Sequence, residues 1–299
     1  MFNFQFIRRM NLFILVSVIA VGGSLYLMGS RGLNFGIDFK GGIKLHYRFS
    51  EPVSETALRT LLEPLELGDF SVQQVGEISE NRMMIKFEVS EKEGLSSKIT
   101  EAFRKGLNVA SLEIEQEETV GPKAGSELRK KGILAIIVSW LLMLIYVGYR
   151  FDFIFAPGAI LALVHDVLIT LGAFALTGRE VSLTVIAALL TIIGYSINDT
   201  IVIYDRVREN LPIMEKKPLR ELINITLNET LSRTIITTLT VLFVVVLMYL
   251  FGEGEFQNFG FAMTVGCISG TYSTIFVACP FYIYLKEYGP RLTQKFKHR

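Results

Sequence analysis

Apolar residues in this chain are gathered into long blocks and do not recur with the short period of a soluble helix or strand. Six blocks reach or approach the roughly 20 residues that an α-helix needs to cross a bilayer. They cover residues 11–28, 132–149, 153–177, 181–204, 234–252 and 256–285. The pattern therefore predicts a multi-spanning α-helical membrane protein with six transmembrane helices.

Residues 29–131 follow a different pattern, in which short alternating runs predict strands and two periodic runs predict helices. Ser54 is a suitable N-cap for the first of these helices. The predicted elements are a strand over 42–49, a helix over 54–65, strands over 70–77 and 81–89, a helix over 95–107 and a strand over 111–119. This βαββαβ order predicts an α+β ferredoxin-like domain, with two helices on one face of an antiparallel sheet.

Lysine and arginine predict the orientation, because they concentrate in the short flanks on the cytoplasmic side of a membrane. They cluster before the first block, after the second, between the fourth and fifth, and in the tail 286–299. Both termini are therefore predicted to be cytoplasmic, with 29–131 outside. Arg8 and Arg9 would also suit a signal peptide, but no small-residue cleavage site follows, so an uncleaved anchor over 1–28 is expected.

Residues 132–285 hold the remaining five predicted spans. Within them, residues 218–231 place leucine and isoleucine at helical spacing with charges elsewhere, which predicts an amphipathic helix on the cytoplasmic interface.

Composition agrees with a membrane protein and excludes one class of partner. The chain is 51% hydrophobic, with a mean hydropathy of +0.43 and a net charge of +1. It has no basic stripe with interleaved aromatic residues, so nucleic acid is not an expected partner.

The most informative residue is Asp199, which lies inside the fourth apolar block. An ionisable group there costs roughly 3 kcal/mol even on lenient insertion scales, which favours a functional role. Arg233 directly precedes the next block, at a matching depth on the cytoplasmic side. Movement of Arg233 toward or away from Asp199 would change the proton affinity of the carboxylate, as a proton relay requires. The alternative is a fixed ion pair that fastens the two spans.

A second polar insertion, His165 and Asp166, lies near the middle of the third block. Adjacent helical residues point about 100° apart, so we expect one of the two to face the fourth span. Accessory relay groups and polar interhelical contacts both remain open for this pair. Asp199 itself is flanked by Ser196, Asn198 and Thr200, which are expected to hydrogen-bond its carboxylate or to order water beside it. No metal site is predicted.

Several longer motifs resemble the SecF members of the SecD/SecF protein-export family, within the RND superfamily. They are LNFGIDFKGG after the first block, VGP before the second, LVHD in the third, GYSINDTIVIYDRVREN in the fourth and ETLSRT at the start of the fifth.

The resemblance implies half of a proton-driven transporter, with SecD supplying six further spans and a larger outer domain. It implies a multi-pass protein of the bacterial cytoplasmic (inner) membrane, with 29–131 in the periplasm. Its implied partners are SecD, the SecYEG channel, membrane lipid and the translocating unfolded polypeptide, with YajC as a further candidate. The resemblance also implies that the protein is not an enzyme and that it uses the proton gradient, with no cofactor.

Two other functions compete with proton-driven export. One is a passive scaffold that stabilises SecD and the translocon. The other is an intramembrane aspartyl protease built on Asp166 and Asp199, although Asp199 has a nearer partner in Arg233.

Overall fold

A computed structural model describes residues 4–65, 67–68, 70–88, 94–107, 109 and 111–297. Six of its helices are long and apolar enough to cross a membrane, which confirms the predicted number of spans. They are formed by α1 (Met10–Ser30), α5 (Pro122–Arg150), α6 (Ala156–Thr177), α7 (Leu183–Ile213), α8 (Leu219–Phe251) and α9 (Gly254–Ser273). A π-helical turn, Thr274–Ala278, joins α9 to α10 (Cys279–Lys297), which continues the last span.

The outer domain consists of four strands and two helices in the predicted order. The elements are β2 (Gly42–Phe49), α3 (Glu55–Leu62), β3 (Phe70–Val75), β4 (Arg82–Phe87), α4 (Leu95–Gly106) and β5 (Leu112–Val120). The strands form one antiparallel sheet in the order β3-β4-β2-β5, which is compatible with the ferredoxin-like prediction. Val89, the predicted end of the third strand, lies outside the described residues.

Burial in the outer domain follows the alternation of its strands. Leu45, Tyr47 and Phe49 on β2 point to the buried face and pack with Leu58 and Phe103 from the two helices. Burial raises the pKa of the Tyr47 phenol to about 12, although its hydroxyl is hydrogen-bonded to Thr100. Ser54 caps α3 as predicted, since its hydroxyl accepts a hydrogen bond from the Ala57 amide at 3.2 Å.

Three of the spans form the centre of the membrane part. The buried fraction of an 18-residue apolar stretch in each span distinguishes them from the others. Half or more of these residues are buried in α6, α7 and the span that begins with α9, against 17% or fewer in α1, α5 and α8. The glycines of the GxxxG pair in α9 allow this close packing. A Cβ on Gly266 would lie 2.3 Å from Ile192, and one on Gly270 would lie 3.0 Å from the Ser196 side chain.

Two predicted boundaries differ because helices continue beyond the apolar stretch into the polar flank. The span predicted over 132–149 starts earlier, because residues 122–131 form the first part of α5, which begins directly at Pro122. Likewise, the separate interfacial helix expected over 218–231 is the beginning of α8, which runs unbroken to Phe251. Backbone hydrogen bonds within a helix do not need to end at the membrane surface, so hydropathy does not locate the helix ends.

The same part of α8 also holds the N-terminal segment. The Asn224 and Asn228 side-chain amides donate to the Phe4 carbonyl at 3.1 and 2.9 Å, and Asn228 accepts from the Phe4 amide at 2.7 Å.

The outer domain is fastened to the ends of the spans by buried charges. Lys44 on β2, which is 5% exposed, forms ion pairs with Glu118 at 2.7 Å and with Glu255 at 2.9 Å. Burial acts to lower the pKa of Lys44, but the hydrogen bonds with both glutamates outweigh it and leave the pKa above its ordinary value. Lys86 on β4 pairs with Glu180, in the loop between α6 and α7.

The connector between α1 and the sheet is also ordered against the spans. Its short strand β1 (Asn34–Phe35) pairs in parallel with β6 (Glu180–Val181), and the short helix α2 (Ile37–Lys40) follows. The Asp38 carboxylate accepts a hydrogen bond from the Leu183 amide at 2.8 Å, at the N-terminus of α7. Burial raises the pKa of Asp38 despite this bond. The outer domain therefore contacts the ends of α7 and α9 directly.

Candidate functional site

Asp199 lies on the buried side of α7 and is 3% exposed. Its Oδ2 atom has no hydrogen-bond partner among the described residues. Arg233 on α8 acts on the carboxylate electrostatically, and the carboxylate in turn acts on Tyr195 of α7 and Cys267 of α9. A buried carboxylate oxygen without a donor is costly, so this position favours an occupant such as a proton or water.

Arg233 lies on α8 and reaches toward Asp199 without contacting it. Both residues are described, and no ion pair within 4.0 Å joins them. The Arg233 side chain is exposed at the surface of this chain. The predicted partners are thus neighbours, and the arrangement differs from a closed ion pair that would fasten the two spans.

Asp166 is in a very different environment. It is fully buried on α6, and its two oxygens together have four hydrogen-bond partners. Ser196 and Ser273 donate to Oδ2 at 2.7 and 2.8 Å, and Ser269 donates to Oδ1 at 2.7 Å. His165 Nδ1 lies 3.0 Å from Oδ1. The carboxylate therefore links α6 to α7 and to α9.

His165 connects this cluster to the first span. Its ring stacks on Tyr272 with centroids 5.9 Å apart, and the Tyr272 hydroxyl donates to the Phe13 carbonyl on α1 at 2.6 Å. The Tyr272 hydroxyl also accepts from Ser17 at 3.0 Å. His165 Nε2 is buried and has no partner among the described residues. Of the adjacent pair, Asp166 is the residue that contacts α7, as the geometry of a helix required for one of them.

The three residues expected to hydrogen-bond Asp199 point elsewhere. Ser196 donates to Asp166, and Thr200 donates to the Ser196 carbonyl at 3.2 Å and pairs with Thr274 at 3.1 Å. Asn198 is exposed on the other side of α7. Residues three or four apart share a helix face, but the neighbouring helices decide which acceptor each side chain reaches.

Sequence reasoning missed the hydroxyl groups on α8 and α9. Tyr195 donates to Thr238 at 3.0 Å, and Thr238 pairs with Thr271 at 2.9 Å, which joins α7, α8 and α9 beside Asp199. Ser269 and Ser273, the donors to Asp166, are four residues apart in a span that has no charge over 256–285. That spacing places both hydroxyls on one helix face, and it was the available signal.

The two carboxylates are therefore suited to different tasks. Asp166 has four hydrogen-bond partners, whereas Oδ2 of Asp199 has none in the part of the chain that the structure describes. Two carboxylates in contrasting environments can take different roles in one site. The geometry does not favour an aspartyl protease, because Asp166 is bonded to serines and no hydrogen bond between Asp166 and Asp199 occurs in the described part of the chain.

Among the described residues, no group of three or more His, Cys, Asp or Glu side chains is placed to hold a metal ion.

Comparison with known proteins places these observations in a family. The profile described as "Protein export membrane protein SecD/SecF, C-terminal" matches residues 99–288, and the "SecD/SecF GG Motif" matches residues 26–53. The protein translocase subunit SecF of Desulfurispirillum indicum is 42% identical, over 93% of this chain and 90% of its own length. SecF of Vibrio alginolyticus is 40% identical, over 91% of this chain and 87% of its own length.

Two solved structures of SecDF have the same fold as this chain. The crystal structure of SecDF from Thermus thermophilus, a translocon-associated membrane protein, superposes with a TM-score of 0.83 at 33% identity. The match covers 95% of this chain but only 39% of the SecDF chain. A structure of SecDF in a super-membrane-facing form gives a TM-score of 0.71 at 33% identity. The family profiles, the relatives and the fold agree, and the chain belongs to the SecD/SecF family of protein-export membrane proteins, as a SecF-type, multi-pass membrane subunit.

Proposed function

We propose that this chain is the SecF subunit of an accessory complex that uses the proton-motive force to promote protein translocation through the Sec channel. Family membership supports a role in protein translocation. The observation that carries the proton-driven part is Asp199, a carboxylate buried inside a membrane span with an unpartnered oxygen and a cation on the next helix.

Proton transfer centres on the Asp199 carboxylate. When Arg233 is distant, the buried carboxylate is better neutralised by a proton; when the guanidinium approaches, the ionised form is favoured and the proton leaves. Uptake from one side and release to the other then require α7 and α8 to move relative to each other. The relay thus has two states that differ in proton affinity, and proton uptake and release shift α7 and α8 from one state to the other.

The outer domain is placed to follow such a movement. Asp38 binds the N-terminus of α7, which carries Asp199, and Lys44 binds Glu255 at the start of α9. Glu255 also accepts a hydrogen bond from Thr184 on α7. A shift of α7 against α9 would therefore change the contacts that hold the sheet.

The partners follow from the same proposal. SecD supplies the other half of the transporter, against the apolar outer faces of α5 or α8, and lipid covers the remainder. The complex acts beside SecYEG on a translocating unfolded polypeptide, and YajC is a further candidate partner. Nucleic acid is not a partner in this proposal. No cofactor is required, because the proton gradient supplies the free energy. Relatives named as translocase subunits suggest a non-enzymatic role.

A passive scaffold is the second candidate function. It is favoured by the extensive polar contacts of Asp166, which fasten three spans. It leaves the unpartnered oxygen of Asp199 unexplained.

Changing Arg233 tests the proposal. Arg233→Met should abolish the stimulation of export by a proton gradient, because the carboxylate then lacks the cation that promotes proton release. Arg233→Lys should keep part of it, since the charge remains without the planar fork. The measurement is the export rate of vesicles containing the complex and the channel, with and without a protonophore. Full stimulation in Arg233→Met would show that the pair has no role in gating.

The proposed location is the bacterial inner membrane, with both termini cytoplasmic and the outer domain in the periplasm. Cysteines at Ser79 and Ser96 should then react with an impermeant maleimide in intact spheroplasts, whereas cysteine at Ser232 should not. Cysteine at Lys216, exposed between α7 and α8, should react only after permeabilisation. Labelling of Lys216→Cys in intact spheroplasts would show the opposite orientation in the membrane.

A further inference from the structure

A polar groove lies between the outer domain and the outer ends of the spans, with a volume of about 810 Å³. One wall is the edge strand β3, including Ser71, Gln73 and Gln74. The opposite wall comes from the loops between α6 and α7 and between α8 and α9. Its charged lining residues have both signs: Lys40, Lys86, Arg179, Glu55, Glu88, Glu180 and Glu253. Mixed charge does not select a phosphate or a lipid headgroup, and it suits a neutral polar ligand such as a peptide backbone.

The two edges of the sheet differ in a way that points to the same ligand. The β5 edge has the sequence LEIEQEETV, whose glutamates discourage another strand from pairing. The β3 edge has the sequence FSVQQV, which has no charge and no proline. It therefore lacks the residues that commonly protect an exposed edge.

Two side chains of α3 occupy the hydrogen-bonding positions of this edge. Glu55 accepts from the Gln74 amide at 3.3 Å, and Arg59 donates to the Val72 carbonyl at 3.4 Å. Val72 and Gln74 are opposite Ile85 and Met83 on β4. The bonds with α3 show that the Val72 carbonyl and the Gln74 amide face away from β4. Glu55 and Arg59 are four residues apart, so they can pair with each other when released from the strand.

We propose that β3 binds an extended segment of the translocating polypeptide by strand addition within this groove. The inference rests on the proposed function and adds to it the site where the outer domain holds its substrate. Main-chain hydrogen bonds would provide the affinity, as in other cases of β-augmentation. Such binding depends little on sequence, as a subunit that handles many exported chains needs. The polypeptide displaces Glu55 and Arg59 from the edge and takes their places on Gln74 and Val72.

The test uses the full complex in vesicles and a reduced, carboxymethylated polypeptide that stays unfolded. A photo-crosslinking residue at Gln73 should capture this polypeptide, whereas the same residue at Glu117 on the β5 edge should not. Capture of the SecD-type partner or of a second copy at Gln73, or equal capture at both positions, would overturn the proposal.

Substitutions at one position separate backbone recognition from side-chain effects. Gln74→Pro removes an amide that faces away from the sheet, together with its bond to Glu55. It should weaken polypeptide binding by roughly two- to tenfold, the equivalent of one hydrogen bond. Gln74→Ala keeps the amide and should bind like the wild type. Glu55→Ala uncovers the amide and should strengthen binding, an effect opposite to that of a merely structural role.

Separate control measurements distinguish failure of the groove from misfolding of a variant and from failure of the proposed function. Crosslinking from Gln73 in an otherwise unchanged chain does not depend on the folding of Gln74→Pro. Stimulation of export by the gradient in the wild type, combined with equal binding by Gln74→Pro and Gln74→Ala, would reject the groove and retain the proposed function. A wild-type complex without any stimulation would reject the proposed function itself.

Discussion

Asp199→Asn is expected to abolish the part of export that depends on the proton gradient while the complex still assembles. Asparagine keeps the volume of the side chain but cannot bind and release a proton at this position. One elementary charge moved through 100 mV is worth about 2.3 kcal/mol, so each proton that is no longer coupled can lower the driven rate by up to roughly fiftyfold. Export in the absence of a gradient should not change.

Asp205→Asn provides the matched control on the same helix. Asp205 lies less than two turns further along α7, where it pairs with Arg150 at 3.4 Å and its side chain remains 44% exposed. Its loss should leave gradient-driven export intact, since a solvated ion pair contributes little. The measurement is the export rate of inverted vesicles with a fixed amount of copurified partner subunit. Wild-type stimulation in Asp199→Asn would eliminate the relay and restore the scaffold as the better explanation.

The spans and the order of the outer-domain elements could be predicted because each depends on a local pattern. A block of about 20 apolar residues has few alternatives to a membrane helix, and period-two alternation identifies strands such as β2. The position of Asp199 inside a span was likewise evident from its neighbours in the sequence.

Features that depend on contacts between distant elements could not be predicted. Two-residue strands such as β1 and β6 carry no periodic signal, so the pairing of these distant segments was not visible. Lys44 is one of 30 basic residues, and nothing in its local sequence distinguishes a lysine buried between two glutamates from a solvated one.

Ser196 shows the same limit inside the membrane. Its place one helical turn before Asp199 suggested a bond to that carboxylate, but the serine reaches Asp166 at 2.7 Å. The close approach of α9 at Gly270 fixes the orientation of Ser196, and this approach depends on the packing of three helices. Rotation of a helix about its axis is set by such packing, which a single sequence does not reveal.

Asp166→Leu is expected to destabilise the chain by about 3 kcal/mol or more. Leucine has a similar bulk, but three serine hydroxyls on two neighbouring spans then lose the carboxylate that accepts from them, although Ser273 keeps a second acceptor, the Gly270 carbonyl. Asp166→Asn should cost much less, because the amide oxygen still accepts and a rotated serine hydroxyl can accept from the amide nitrogen. Ser269→Ala removes a single donor and should cost about 1 kcal/mol. Thermal unfolding of the purified proteins in detergent measures the order of stability of the three variants.

The same variants decide between the two roles left open for Asp166. A carboxylate that only fastens α6, α7 and α9 tolerates an amide, so Asp166→Asn should keep nearly all gradient-driven export. A carboxylate that carries a proton does not, and a stable Asp166→Asn protein without stimulation would place Asp166 in the relay. We expect the first result, because the four hydrogen bonds to Asp166 are already made in this structure. Protonating Asp166 would require one of these four partners to accept a hydrogen bond from it, whereas protonating Asp199 uses an oxygen that has no partner among the described residues.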